Sequence, residues 1–245
     1  MKIGYFPPMK FLALPILFLL AAASISRGDA RDLASTLAQL APDADPQVLA
    51  LAVQARDCAM SHGQAQADDR LAVIDYSRAS TQERLWVFEL KPARLLYSEH
   101  VAHGRGSGEN LPQHFSNVEG SHQSSLGLFR TAETYQGGNG YSLRMDGLEP
   151  GVNDRARERQ IVMHGAPYVN PQQALRQGRL GRSFGCPAVR REVARDMIDT
   201  LKHGQLLFAY YPDQRWLTQS AFLQCAGNPV AKQMKVARTV AAGAP

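Results

Sequence analysis

Cys186 lies in GRSFGCPAV, residues 181–189, between a glycine and a proline. His164 closes the apolar run RQIVMHG, 22 residues upstream. A thiol and an imidazole are the pair that nucleophilic acyl transfer uses. The imidazole takes the proton, the sulfur attacks a carbonyl, and a thioester divides one difficult step into two. A free thiol titrates near about 8.5, so a neighbouring cation or helix N-terminus is what makes thiolate common at neutral pH. Gly185 puts no side chain against an incoming substrate and allows a backbone angle closed to other residues. Pro187 has no N–H, so oxyanion donors fall to the backbone N–H groups of Cys186, Gly185 or Phe184. One such donor contributes about 3 kcal/mol to the transition state. Ser183 is near enough in sequence to hydrogen-bond the sulfur or to brace the loop. On residue type alone, two plainer readings stay open: Cys186 as a small buried apolar group and His164 as a satisfied core histidine. Metal chemistry is not expected. His164, Cys186 and a further histidine such as His103 lack the CxxC, HxH or HxxxH spacing of a zinc site, and acyl transfer by a thiol needs no cofactor.

The chain holds three cysteines, Cys58, Cys186 and Cys225. Its first 30 residues have the layout of a secretory leader: lysines, an apolar run from Phe11 to Ala23, then small residues up to Ala30. Met9 offers a second start with a tidier leader. The apolar run is short for a bilayer span, and no later segment is apolar enough to cross a membrane. The expected location is therefore the periplasm or the exterior. In such a compartment an odd cysteine stands out as a reactive group. The simplest arrangement pairs Cys58 with Cys225 and leaves Cys186 free; two buried free thiols is the competing arrangement. Losing Lys2, Lys10, Arg27 and Asp29 with the leader takes the net charge from +5 to +3. The basic residues are scattered, which argues against nucleic acid as a partner.

The elements that must position the pair follow from periodicity. Residues 31–66 read as a helical N-terminal cap of two helices broken at APDADP, with Leu33, Leu37 and Leu40 on one stripe and Val48, Leu51, Ala52 and Ala55 on the other. Short β-branched and aromatic runs follow: LAVIDYS, ERLWVFEL, RLLYSEHVAHG, RQIVMHG and QLLFAYYP. GGNG, residues 137–140, marks a hairpin, because such turns need positive φ. RREVARDMIDTLKHG places Val193, Met197, Ile198 and Leu201 on one helical face, with Gly204 as the stop. Strand succeeding strand gives a mainly β fold, an antiparallel sandwich or barrel core with a helical N-terminal cap and one late helix. The expected division is leader 1–30, cap 31–66, catalytic domain 67–225 and flexible tail 226–245. Trp86 and Phe88 read as core and Trp216 as packing near the C-terminal segment. His100, His103, His114, His122 and His203 read as surface or loop residues.

IVMHGAPYV followed by GRSFGCPAV resembles the HG…SxGC signature of the L,D-transpeptidases, the YkuD-like enzymes that remodel peptidoglycan. The similarity runs from about residue 70 to 212 through HGRGSG, FSNVEGSHQSSLGLFRTAETYQGGNGYSLRMDGLE, NDRARERQIVMHG and LLFAYYP, and is strongest to the murein L,D-transpeptidase catalytic domain branch. The resemblance implies a β-rich catalytic fold. It implies Cys186 as nucleophile, His164 as general base, Gly165 of the HG motif at the substrate, Gly185 in the oxyanion environment and Ser183 as the motif serine. It puts Ser124, Ser125 and Gly127 along the cleft. Tyr168, Arg182, Asn153 and Arg159 carry polar groups suited to stem carboxylates or to bracing the site. The implied partners are peptidoglycan stem peptides, as donor and as acceptor. Many relatives have a second histidine directly before the motif glycine, where this chain has Phe184, and a polar residue after the cysteine, where it has Pro187. The implied reaction is acyl transfer from a tetrapeptide stem. An L,D-carboxypeptidase on the same stems and a non-catalytic wall-binding protein are the alternatives.

Overall fold

The computed structural model describes residue 1 and residues 27–66 and 69–225. The expected tail, 226–245, lies outside them, as does the expected leader except for residues 1 and 27–30. Residues 27–30 form the first turn of α1 (Arg27–Leu40). The break at APDADP starts α2 (Pro46–Ser61). There the Asp45 carboxylate accepts the Gln47 N–H at 2.8 Å, and Pro46 occupies a position whose N–H would have had no helical partner. The buried face of α2, including Val48, Leu51, Ala52 and Ala55, packs on β1 (Arg70–Asp75) and β8 (Leu206–Tyr210). The helical cap therefore shares one core with the sheet.

The eight strands among the described residues form one sheet. The remaining ones are β2 (Leu85–Leu90), β3 (Ala93–Glu99), β4 (Gly127–Gly137), β5 (Gly140–Gly147), β6 (Val162–Gly165) and β7 (Ala188–Val189). The order across the sheet is β3-β2-β1-β8-β4-β5-β6-β7. Every residue of β2 and β8 is buried, which requires cover on both faces. The fold is mainly β, as the periodicity predicts, but the sheet is mixed rather than antiparallel. β1 pairs with β8, and β6 with β7, in parallel. Parallel neighbours need a long crossover. The first pair is separated by most of the domain, with α4 (Arg191–Leu201) leading directly into β8. The second is separated by the loop that carries α3 (Pro171–Gln177). Just beyond β3, the Ala102 N–H reaches the Ala188 carbonyl of β7 at 2.8 Å. The two ends of the sheet order thus meet, and the sheet is nearly closed into a barrel.

The expected hairpin forms, with Gly137 paired to Gly140 and Gly140 at φ 77°. Of the expected face on α4, Met197, Ile198 and Leu201 are buried with Ala194, and Val193 is half-buried. α3 and α5 (Gln214–Gln219) are short helices that periodicity did not single out. α5 brings Trp216 onto Phe208 and Tyr210, and its indole N–H donates to the buried Glu149 carboxylate at 3.1 Å. The segment then ends on α2, where Cys225 and Cys58 are joined in a disulfide with Cα atoms 6.1 Å apart. Among the described residues, no helix is long and apolar enough to cross a membrane.

The disulfide closes a loop with a sequence separation of 167 residues, so its main effect is to restrict the unfolded chain. Replacing both cysteines by alanine should cost about 2–5 kcal/mol of unfolding free energy. Urea titration of the double variant measures it, and the m-value should rise because the unfolded chain exposes more surface. A loss under about 0.5 kcal/mol, the range of a neutral surface change, would mean that the two sulfurs are not bonded in solution.

Candidate active site

β6 and β7 bring the two chemical groups onto neighbouring strands. In the parallel register His164 lies opposite Ala188, and Gly165 opposite Val189. Two positions back along the same register, Cys186 falls beside Val162. Its sulfur accepts the Val162 N–H at 3.5 Å and faces the Gln160 carbonyl at 3.6 Å. His164 is two residues further along β6, about 6.6 Å of strand rise, on the same face as Val162. The imidazole Nδ1 lies 3.2 Å from the Gly165 carbonyl. A carbonyl only accepts, so Nδ1 carries the hydrogen and Nε2 keeps the lone pair. Among the described residues no hydrogen bond joins His164 to Cys186. Nε2 is left unengaged, and the ring must lean back along the strand to meet the sulfur.

The loop carrying Cys186 is fixed from below by hydroxyls and backbone. Ser183 Oγ donates to the Cys186 carbonyl at 2.7 Å and accepts the Gly185 N–H at 3.1 Å. Ser183 is thus a brace and does not touch the sulfur. The Gly185 N–H is taken by that brace, so the candidate oxyanion donors left in this loop are the Cys186 and Phe184 N–H groups. Gly185 stands at φ 127°, a conformation closed to L side chains. A Cβ there would come within 2.9 Å of the Gln123 carbonyl and of Ile161. The Gly185 carbonyl accepts from Ser124 Oγ at 3.1 Å, and Ser124 Oγ in turn accepts the Gly104 N–H at 3.0 Å. Gly104 must also be glycine. A Cβ on it would strike the His122 carbonyl and sit 2.9 Å from Gly185 Cα.

Beneath this loop lies a buried polar frame that sequence reading missed. Arg84 is fully buried. It donates to the carbonyls of Val101 and Arg78, at 2.8 Å each, and to His103 Nδ1 at 2.8 Å, and it lies 5.2 Å from the Tyr76 ring centroid. His103 lies in the loop between β3 and β4, but it is not on the surface: it is fully buried, and its Nε2 donates to the Gly108 carbonyl at 3.3 Å. Burial, aided by the Arg84 charge, brings the His103 pKa down to about 3, so it stays neutral and can accept from the guanidinium. Burial also brings Arg84 down to about 10. The His103 carbonyl accepts the Ser183 N–H at 3.0 Å, which connects the frame to the loop that carries Cys186. A lone arginine between two strands carries no periodicity signal, so only its contacts identify it.

Charge at the thiol is set by burial first. Burial raises the Cys186 pKa above its ordinary 9.0, opposed by the Val162 N–H and by the positive charge of Arg159. Burial lowers the His164 pKa below its ordinary 6.5. At neutral pH the pair is thiol and neutral imidazole. Arg159 ties the 116–125 loop to the site, donating to the Ser116 carbonyl, to Ser125 Oγ at 2.6 Å and to the Gln123 carbonyl at 2.7 Å. Ser125 is therefore held as part of that tie. Asn153 is structural: its buried amide bonds the backbone of Leu126, Leu128 and Glu149.

A cavity of about 480 Å³ opens beside His164, lined also by Gly165, Tyr168, Tyr141, Arg191 and Arg195. Burial pushes the Tyr168 phenol up to about 12, and the nearby Cys186 charge adds to the shift. Arg182 does not line this cavity. It is engaged by Glu109 at 2.7 Å and the Gly108 carbonyl at 2.9 Å. The expected group thus divides: Cys186, Gly185 and Ser183 share one loop, His164, Gly165 and Tyr168 share the cavity, Ser125 joins them through Arg159, and Arg182 stands apart.

The model of the L,D-transpeptidase catalytic domain matches residues 40–210. No curated protein matches the chain. Among solved structures the chain is similar to an L,D-transpeptidase from Mycobacterium smegmatis, at 13% identity and TM-score 0.36, over 58% of this chain and 59% of that one. L,D-transpeptidase 1 from Mycobacterium tuberculosis gives 12% identity and TM-score 0.33, over 59% and 63%. An L,D-transpeptidase from Stackebrandtia nassauensis gives 13% and 0.33, over 74% and 90%. The chain spans about three fifths of the length of the first of these structures. The 40–210 match takes in β6, β7 and the loop between them, and on that match the chain belongs to the L,D-transpeptidase catalytic domain family.

Proposed function

We propose that the protein is an exported cysteine L,D-transpeptidase that acts on peptidoglycan stem peptides. The observation that carries the reading is the register of β6 on β7, which sets the Cys186 sulfur two strand positions from His164. In the first half-reaction Cys186 Sγ attacks the carbonyl of the bond between the L-centre of diaminopimelate and the terminal D-alanine. Nε2 of His164 takes the thiol proton as the S–C bond forms. The Cys186 N–H donates to the oxyanion. As the C–N bond breaks, the imidazolium returns its proton to the departing D-alanine amine. In the second half-reaction an amine attacks the thioester, gives its proton to Nε2 and releases the thiolate, which recovers that proton. The leader-like run before Ala30 supports export to the periplasm or the exterior, where stem peptides are found.

Two expectations test this reading. With a tetrapeptide stem, intact-mass spectrometry should show an adduct on Cys186 with release of D-alanine. Cys186→Ala should abolish both, and His164→Gln should slow D-alanine release by about 10²–10⁴-fold, the usual worth of a general base. Release that persists in Cys186→Ala would end the proposal. Products separate the names: cross-linked or exchanged stems mark a transpeptidase, and tripeptides alone mark a carboxypeptidase.

The pH profile follows from the two shifts. His164 must be neutral to act as base, and burial lowers its pKa, so the acid limb of kcat/KM for D-alanine release should be centred below pH 6.5. An acid limb centred above 6.5 would instead mean that the site stabilises the imidazolium, against the direction that burial sets. Direct alkylation by iodoacetamide needs thiolate, and burial raises the Cys186 pKa. Labelling should therefore be slow at pH 7 and rise through a midpoint above 9.0. Arg159→Gln should move that midpoint further up, since the guanidinium is the one cation lowering it.

A further inference from the structure

The cavity beside His164 is lined by the base but not by Cys186. In the second half-reaction the attacking amine must meet both the base and the thioester carbonyl, so an acceptor held in this cavity reaches past His164 towards the sulfur. The cavity is also cationic. Arg191 and Arg195 lie one turn apart on α4, both exposed, and neither forms an ion pair within 4 Å among the described residues. No carboxylate lines the cavity. Asp199, whose carboxylate feels the Arg195 charge, is also held by Tyr141 Oη at 2.8 Å and Lys202 at 2.9 Å, and Glu192 and Asp196 of α4 lie outside the cavity lining. The Arg195 guanidinium lies 4.6 Å from the Tyr141 ring centroid, which orients it without satisfying its charge. Gly165 lets α4 come this close to β6, since a Cβ there would press on Ala194 Cβ at 2.7 Å. The first turn of α4 thus sits against the HG motif.

We propose that this cavity is the acyl-acceptor site and that Arg191 and Arg195 hold the carboxylate of an acceptor whose attacking amine and carboxylate share one carbon. The proposal rests on the acyl-transfer reading above. With the carboxylate on the arginines, the amine one carbon away faces His164. It loses its proton to Nε2 and forms the new amide bond as the C–S bond breaks. The chemical class is an α-amino-acid centre, found either in a free amino acid or at the side-chain end of a diaminopimelate in a second stem. An amine with no carboxylate beside it, such as a lysine side chain, lacks the anchor.

The experiment compares D-methionine with D-methioninamide as acceptors for the full-length protein charged with a tetrapeptide stem. It counts exchanged stems by mass spectrometry and D-alanine release in the same reaction. D-Methionine should be used at least about tenfold better, the contribution expected of one charge-assisted hydrogen bond. Arg191→Gln and Arg195→Gln should each collapse that preference towards unity, and Arg195→Lys should restore part of it. Equal use of acid and amide by the unaltered protein, or a preference unchanged in both glutamine variants, overturns the acceptor site. An absence of D-alanine release overturns the acyl-transfer reading and the site with it. A third arm offers a second tetrapeptide stem: loss of dimer in the glutamine variants assigns the site to stems, and loss confined to D-methionine assigns it to free amino acids.

Discussion

β7 contributes two residues to the sheet, Ala188 and Val189, and the geometry of the site is built around their pairing. On one side they run parallel to His164 and Gly165. On the other, Ala188 accepts the Ala102 N–H and draws the chain beyond β3 across to close the sheet. One short strand therefore sets the distance from the thiol to the imidazole and also completes the barrel-like enclosure. Shifting the register by one residue would reverse the faces of β6, turning His164 into the core and Met163 out of it. The frame of Arg84, His103, Ser124 and Ser183 opposes such a slip, because the His103 carbonyl, Ser124 Oγ and Ser183 Oγ each bond the backbone of the loop that feeds β7, and Arg84 holds His103 in place.

Burial decides the charge state of the site. A buried guanidinium is tolerated where carbonyls, a neutral imidazole and an aromatic face satisfy it. Arg84 has all three. The cost of bringing charge into this region is visible in the phenols, with Tyr76 and Tyr168 both raised to about 12 by burial. A resting thiolate would pay the same desolvation cost. A thiol and a neutral imidazole avoid it, and on the proposed mechanism charge appears only as the substrate carbonyl is attacked. Arg159 and the Cys186 N–H are placed where that charge develops.

Much of this was legible in the sequence where the signal was local. The β-branched runs, the Gly137–Gly140 turn and the apolar face of α4 each report burial on one element, and burial has a period. Cys186 and His164 stand out because their chemistry is scarce and their spacing allows a crossover. The parallel pairings were not legible, since periodicity says which residues are buried and not which strand lies alongside. β7 is too short to carry a period at all. Arg84 and His103 were missed for a related reason. In a sequence they look like solvated polar residues, and their role exists only where distant segments converge. Ser183 was placed at the site, but its hydroxyl braces the loop instead of meeting the sulfur, a distinction that depends on a side-chain torsion.

Phe184 shows how a departure from the family pattern is accommodated. Its ring is 62% exposed, a costly place for an apolar side chain to stand unsupported. It is not unsupported. The His122 ring lies 4.7 Å away, centroid to centroid, and the Arg105 guanidinium lies 4.4 Å from the Phe184 centroid. Arg105 in turn bonds His122 Nδ1 at 3.1 Å and, through its backbone N–H, the Ser183 carbonyl at 2.8 Å. The three side chains clip the outer face of the 183–186 loop, while Ser183 and Ser124 hold its inner face. A phenyl ring can position a loop by contact, but it cannot carry a proton. Proton handling at this loop therefore cannot be shared with the residue before Gly185, and on the proposed mechanism it falls to His164 in both half-reactions.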